Sequence, residues 1–188
     1  MWSPDPHTAL GRLIRLATTI AIAATAAACF QPVYGERNAV GGSALRDALA
    51  SVDVAQISAP KGSRLARIAV ETRNELVFDL TGGSGSAPPT HQLKVSLVQT
   101  GGALIVDPLT QRTVYNNFGI DANYSMIEIA SGKSVLTGTA STRVTYNAPG
   151  QEQRFAQARA LRDAETRAAK VVADMIRSRL ASYFVAGT

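Results

Sequence analysis

The sequence contains a single cysteine, two histidines and few aromatic side chains (6%) among its 188 residues. One cysteine excludes an internal disulfide, and two histidines are too few for a zinc site built from His and Cys. Its 19 Lys and Arg are scattered among 14 Asp and Glu without a run of one sign. Nucleic acid is therefore not an expected partner, whereas this modest positive charge is compatible with binding to an anionic membrane surface.

Catalytic groups are equally scarce. His7 lies in the N-terminal region discussed below, and His91 stands at the start of a predicted strand beside a proline-rich loop. No serine, threonine or cysteine has an identifiable base, and Glu71, Glu75 and Asp79 at four-residue spacing are typical of the polar face of a helix. We therefore expect a protein that is not an enzyme and that has no metal ion and no cofactor.

The N-terminal region has the pattern of an export signal. Arg12 and Arg15 precede an almost purely apolar and small-residue run at 16–28. This run is shorter than the roughly twenty residues that a spanning helix needs, and no other stretch of the chain approaches that length. Residues 1–28 are predicted to be a signal peptide.

Cys29 follows this run directly, and two interpretations of the junction compete. Ala26, Ala27 and Ala28 satisfy the small-residue rule of ordinary signal peptidase, but they also resemble a bacterial lipobox that ends in cysteine. A lone thiol has no partner in an oxidising compartment, whereas a thioether-linked diacylglycerol explains a cysteine at this position. Cys29 is thus predicted to carry diacylglycerol and an N-terminal acyl chain that anchor the protein to a membrane.

Residues 29–49 contain few large apolar side chains and are predicted to be a tether, followed by one domain at 50–188. Alternation predicts a short strand at 51–58 and three longer strands within 90–146. Turns separate these three strands, the second turn being Ser131–Lys133, so they are expected to form an antiparallel meander. Gly101 and Gly102 indicate a bulge or bend in the first of these three. An apolar stripe at helical spacing predicts a long helix at 152–184. Its members are Phe155, Ala158, Leu161, Ala164, Ala168, Val171, Val172, Met175, Ile176, Leu180 and Tyr183.

Residues 63–83 are ambiguous. Leu65, Ile68, Thr72, Leu76 and Leu80 follow helical spacing, but Leu76, Phe78 and Leu80 also alternate as in a strand. Ser63 as an N-cap and Gly82 as a stop favour the helix. The expected fold is a two-layer α+β sandwich in the order β-α-β-β-β-α, with a four-stranded, mostly antiparallel sheet covered on one face by two helices.

Four segments in this order resemble the LPS-assembly lipoprotein (LptE) family in its alphaproteobacterial form. They are "CFQPVYG" after the signal, "TRNELVFDL" on the first helix, "IASGKSVLTGTASTRVTYN" in the meander and "DAETRAAKVVADMIRSRLASYF" at the end. The resemblance covers nearly the whole chain after the signal, although Phe30 stands where the family usually has glycine.

The resemblance implies a lipoprotein at the periplasmic face of the outer membrane. With the β-barrel LptD as partner, such a protein acts as barrel plug and assembly factor and helps to deliver lipopolysaccharide to the outer leaflet. Arg112 and Lys133, at the expected hairpin tips, are candidate contacts for lipopolysaccharide phosphates. The alternatives are an accessory lipoprotein of an ABC-type phospholipid-trafficking system and a secreted binding domain without lipid.

Overall fold

The computed structural model describes residues 42–83, 88–109, 113–147 and 153–186. Cys29, the predicted signal peptide and Arg112 lie outside these ranges. The elements follow in the order α1 (Gly42–Ala50), β1 (Val52–Val54), α2 (Arg64–Thr81), β2 (His91–Val106), β3 (Thr113–Glu128), β4 (Ser134–Asn147) and α3 (Arg154–Ala186).

The strands form one sheet in the order β1-β2-β3-β4. The pairs β2–β3 and β3–β4 are antiparallel, as expected for consecutive strands joined by turns, whereas β1 lies parallel to β2 with Val54 opposite Leu93. α2 and α3 pack on the same face of this sheet, where the core lies. The predicted two-layer α+β sandwich with a mostly antiparallel sheet is therefore confirmed.

α2 resolves the ambiguity at 63–83 in favour of the helix. The Ser63 hydroxyl oxygen accepts a hydrogen bond from the Ala66 N–H (3.1 Å), and Gly82 ends the helix in the left-handed conformation at φ 64°. Leu76 and Leu80 are buried, whereas Phe78 is 62% exposed. A strand with all three side chains on one face would have buried Phe78 too, so helical spacing decided the structure.

α1 occupies the last part of the segment predicted to be a tether. Its Leu45 and Leu49, one helical turn apart, are both buried in the core. Residues 43–49 thus belong to the same compact unit as the elements that follow, and this unit begins before the predicted boundary at residue 50. Two apolar side chains were enough to dock this short helix because the core supplies the remaining contacts.

Of two predicted details of the meander, the structure confirms one and corrects the other. The turn between β3 and β4 contains Gly132 at φ 68°, as its sequence predicted. Gly101 and Gly102, in contrast, pair in continuous register with Phe118 and Asn117, and the two irregularities fall between Ala103 and Ile105 and between Ile105 and Val106. The bulge was therefore predicted slightly too early in the strand.

The buried face of α3 confirms most of the predicted stripe but is narrower. Ala164, Ala168, Val172, Ile176 and Leu180 are buried as predicted, whereas Phe155 is 76% exposed and Val171 and Met175 are also exposed. The buried face consists mainly of small residues: Ala164, Glu165, Ala168, Ala169, Val172, Ala173, Ile176, Leu180 and Ala181. Because alanine side chains are short, this face brings the α3 backbone close to α2 and the sheet, and the large apolar side chains beside it remain outside.

Glu165 is the charged member of that buried face, with 1% of its side chain exposed. Its Oε2 accepts a hydrogen bond from Arg67 Nη2 at 2.7 Å, and its Oε1 lies 3.3 Å from Arg64 Nε. The second contact is an ion pair without hydrogen-bond geometry, since Oε1 has no hydrogen-bond partner. Both arginines belong to the first turn of α2, so a buried carboxylate joins the two long helices.

Gly138 lies directly opposite Tyr124 in the β3–β4 register, and a Cβ at this position would fall 2.5 Å from the tyrosine Oη. Tyr124 is buried, and burial raises the pKa of its hydroxyl. We expect Gly138→Ala to displace the Tyr124 ring and to lower the free energy of unfolding by about 1–3 kcal/mol. Urea denaturation measures this loss.

The matched control is Gly102→Ala, because no atom lies within 4 Å of a Cβ built on Gly102. This substitution is expected to change the free energy of unfolding by less than about 0.5 kcal/mol. Equal losses in the two variants would contradict the assignment of a specific close contact at Gly138.

Candidate functional site

The face of the sheet opposite the helices is polar along β2, β3 and β4. Burial alternates along each strand, so that Leu93, Val95 and Leu97 point to the core and the residues between them point outward. The outward set is mainly polar and consists of Lys94, Ser96, Asp121, Asn123, Ser125, Thr137, Thr139, Ser141 and Arg143, together with the apolar Val98, which is 53% exposed. Within the described ranges, both long helices lie on the other face and leave this one, the open face, uncovered.

Short hydrogen-bonding side chains stand in rows across the open face. Ser96, Asn123 and Thr139 are aligned by the register of the three strands, and Lys94, Ser125 and Thr137 form the next row. Neighbours in such rows have Cβ atoms about 4.5–5.5 Å apart. Asn123 and Thr139 are exposed, so their amide and hydroxyl groups are available to a partner surface.

One ion pair on the open face lies flat against the sheet instead of projecting from it. The Arg143 guanidinium donates two hydrogen bonds to the Asp121 carboxylate, at 2.9 and 3.0 Å, and this bonding raises the pKa of Arg143 further. The aliphatic part of Arg143 lies over Gly119, where a Cβ would fall 2.4 Å from Arg143 Cδ. Glycine at this position therefore lets the arginine lie flat against the sheet.

The far end of the β2–β3 hairpin is apolar and exposed. Leu104, Ile105 and Val106 at the end of β2 are 45–52% exposed, and Leu109 beyond it is 93% exposed. Tyr115 on β3, the register partner of Ile105, is 40% exposed. Single exposed apolar side chains are ordinary, but a group of this size at one end of the molecule indicates a contact surface.

The residues predicted to carry function are not gathered into one site. Cys29 and Arg112 lie outside the described residues, so their roles stay predictions. Lys133 is exposed in the turn between β3 and β4, where its carbonyl oxygen accepts a hydrogen bond from the Glu128 N–H. This turn and the apolar end of the β2–β3 hairpin lie at opposite ends of β3, which has 16 residues and is about 50 Å long.

The remaining histidine, His91, packs against neighbouring side chains. The His91 ring packs edge-on against Phe184, with 5.4 Å between ring centroids, and its Nδ1 lies 2.8 Å from the Thr90 hydroxyl oxygen. No group of three or more His, Cys, Asp or Glu within the described ranges could hold a metal ion. In the same part of the chain, no helix has the length and apolar character needed to cross a bilayer.

Asp79 lies on α2, and the pKa of its carboxyl group is shifted. Burial, and then the negative charges of Asp174 and Glu75, raise its pKa above the ordinary value of 3.8, and Oδ2 has no hydrogen-bond partner. A raised folded-state pKa means that ionisation opposes folding. The stability that Asp79 contributes is complete below its unfolded-state pKa and is lost as the pH rises through its folded-state pKa.

Asp79→Asn removes this loss because asparagine stays neutral. We expect the variant to have a higher thermal midpoint than the wild type at about pH 7, and an equal midpoint at about pH 3, where the wild-type carboxyl is also neutral. Calorimetric scans at both pH values measure the difference. Equal midpoints at pH 7 would show that ionised Asp79 does not oppose folding.

A two-layer α+β domain with one helix-covered face and one open polar face is the class that these features define. Its most distinctive surfaces are the open face and the apolar end of the β2–β3 hairpin, and these two surfaces are the candidate site.

Solved structures share this fold. A crystal structure described as that of a candidate lipoprotein from Caulobacter crescentus matches with a TM-score of 0.59 and 18% identity, over 77% of this chain and 98% of that one. The solution NMR structure of lipoprotein B from Nitrosomonas europaea matches with a TM-score of 0.50 and 14% identity, over 73% and 90%. No protein-family model and no curated protein matches the sequence. At these identities the likeness is evidence for the fold.

Proposed function

We propose that the chain is an outer-membrane lipoprotein that, with the β-barrel LptD, assembles lipopolysaccharide into the outer leaflet. In this role the domain is a non-catalytic barrel plug and assembly factor, held at the periplasmic face by acyl chains on Cys29. The proposal unites the sequence around Cys29 with a fold shared with proteins described as lipoproteins.

The observation that carries the proposal is the open face. Large membrane barrels have polar, hydrated interiors, so a domain that enters one needs an outer surface that can hydrogen bond to wall residues and to water. Ser96, Asn123 and Thr139 supply short donors and acceptors in register, and the flat Arg143–Asp121 pair avoids a projecting charge. A sheet face built to pack on another domain would instead carry large apolar side chains.

The exposed apolar side chains at the end of the β2–β3 hairpin also fit a domain that lies inside a membrane barrel. Leu104, Ile105 and Leu109 would be costly to leave in water, and a protein or lipid environment that covers them recovers about 25 cal/mol for each Å² buried. A domain inside a barrel that lies in a membrane meets both environments, a polar wall along its flank and apolar material at an end.

Site-specific photo-crosslinking from two threonines tests the contact. Thr139 lies on the open face and Thr166 is exposed on α3, so a photoreactive residue at each position samples opposite sides of the domain. We expect a crosslink to a large outer-membrane β-barrel from position 139 and none from position 166. A crosslink from position 166 alone would overturn the assignment of the open face.

Depletion of the protein tests the cellular role. Surface lipopolysaccharide and the amount of folded barrel are both expected to fall, and normal levels of both would contradict the proposal. Co-purification with inner-membrane transporter components, instead of a barrel, would favour the phospholipid-trafficking alternative. An unmodified Cys29 in the mass spectrum of the mature protein would favour the secreted domain without lipid.

A further inference from the structure

An open cavity of about 360 Å³ lies between the start of α2 and the first half of α3. Its size falls within the range of small-ligand sites. Four of its seven lining residues are arginines, two from each helix: Arg64, Arg67, Arg159 and Arg162. The others are Ala158, Leu161 and the buried Glu165. We name it the arginine cavity.

Glu165 fixes two of these arginines in place. With 1% of its side chain exposed, it contacts Arg67 at 2.7 Å and Arg64 at 3.3 Å, and those two side chains remain 44% and 48% exposed. A guanidinium group has five N–H donors, so one carboxylate shared by two arginines occupies only a minority of them. The other donors are free to bind an anion in the cavity.

Arg159 and Arg162 add positive charge that no carboxylate of the described residues pairs with. Both are exposed, and neither forms an ion pair with a carboxylate of the described residues. Arg159 instead lies 5.9 Å from the centroid of the Phe155 ring. Four guanidinium groups against one carboxylate leave an excess of three positive charges around the cavity.

We propose that the arginine cavity binds a phosphate group. Guanidinium forks match phosphate oxygens in geometry and form charge-assisted hydrogen bonds with them. A phosphate dianion would offset most of the excess charge, which a single carboxylate would not. The proposal concerns a face of the helix layer, not the open face of the sheet, and it does not depend on the proposed function.

The surroundings admit two sources of that phosphate, a free ion or the headgroup of an anionic lipid. A second cavity of about 340 Å³ shares Arg64 and Leu161 with the arginine cavity. It reaches the β2–β3 hairpin, and most of its lining is polar, including Gln99, Thr100, Asn116 and Asn117. Both cavities are open, so a free phosphate ion and a phosphate at the end of a lipid headgroup can each reach the arginines.

Isothermal titration of the full chain with inorganic phosphate, at constant ionic strength, tests the site. The test variant is Arg159→Gln/Arg162→Gln, which removes two charges without breaking an ion pair of the described residues. The matched control is Lys170→Gln/Arg179→Gln, which removes two charges from exposed positions on the same helix outside the cavity, again without breaking an ion pair of the described residues. Unchanged thermal midpoints show that both variants fold, and Arg162→Gln alone replaces the test variant if its midpoint falls.

We expect the test variant to bind phosphate at least about tenfold more weakly than the wild type, since each charge-assisted hydrogen bond is worth about a tenfold change or more. The control is expected to change the affinity less than about threefold, through screened long-range charge alone. Absence of phosphate binding to the wild type, or equal weakening in both variants, would overturn the proposal.

Sedimentation with vesicles of phosphatidylglycerol or phosphatidylcholine then separates the two sources. Both variants keep the same N-terminal region, so the difference between them reports on the arginine cavity alone. Weaker binding of the test variant to phosphatidylglycerol vesicles assigns the site to a lipid headgroup, and equal binding with an intact phosphate titration assigns it to the free ion. Either result accompanies a positive phosphate titration and supports the site.

Discussion

Replacing both Arg64 and Arg67 by alanine is expected to lower the free energy of unfolding by about 3–5 kcal/mol, the usual effect of leaving a buried charge without its partners. Glu165 is 1% exposed, and among the described residues its oppositely charged partners are Arg64 and Arg67. The loss arises because the carboxylate keeps its desolvation cost after the compensating interactions are gone. Urea denaturation followed by circular dichroism measures it.

A third substitution separates this cause from the loss of α2 contacts. Glu165→Leu in the double-alanine background removes the unpaired carboxylate and supplies apolar contact between the helices, so we expect most of the lost stability to return. Arg67→Ala alone should cost more than Arg64→Ala alone, because only Arg67 donates a hydrogen bond to Glu165. Failure of the leucine variant to recover stability would place the loss elsewhere in α2.

Ile176→Ala is expected to lower the free energy of unfolding by about 2–5 kcal/mol. Ile176 is fully buried where α3 meets α2 and the sheet, so truncation removes apolar contact and leaves a cavity that the close-packed alanines around it cannot fill. The measurement is again the urea midpoint together with the slope, which should be unchanged if the unfolded state is unaffected.

Met175→Ala is the matched control for this substitution. Met175 is the preceding residue on the same helix and is 43% exposed, so truncation opens no buried cavity and should change stability by less than about 0.5 kcal/mol. The contrast also tests the orientation of α3. Equal losses at the two positions would mean that Met175 also lies in the buried face of α3.

The elements were predictable where local chemistry and periodicity agreed. Ser63 and Gly82 mark the ends of α2 by capping groups that act within one turn, and the alternation in β3 follows from one buried and one open face. α1 was missed because Leu45 and Leu49 are a weak pattern in isolation. Their burial depends on a core formed by elements distant in sequence.

The candidate site was less predictable for a related reason. The polar face of the sheet followed from alternation, but its freedom from a covering layer depends on where both helices pack. Glu165 lies between Ala164 and Thr166 in a sequence that is otherwise typical of an exposed, charged helix. Its burial, and hence the arginine cavity, depends on Arg64 and Arg67 about a hundred residues earlier in the chain, a pairing that no local pattern encodes.

The parallel pairing of β1 with β2 has a consequence for folding kinetics. β2, β3 and β4 pair through short connections, so the meander can form with little loss of chain entropy. β1 has three residues and meets β2 only after α2 has closed the intervening segment from Val54 to His91. We therefore expect the meander to form early and β1, with α1 attached to it, to dock late, so that the N-terminal edge of the domain is the first part to open under load.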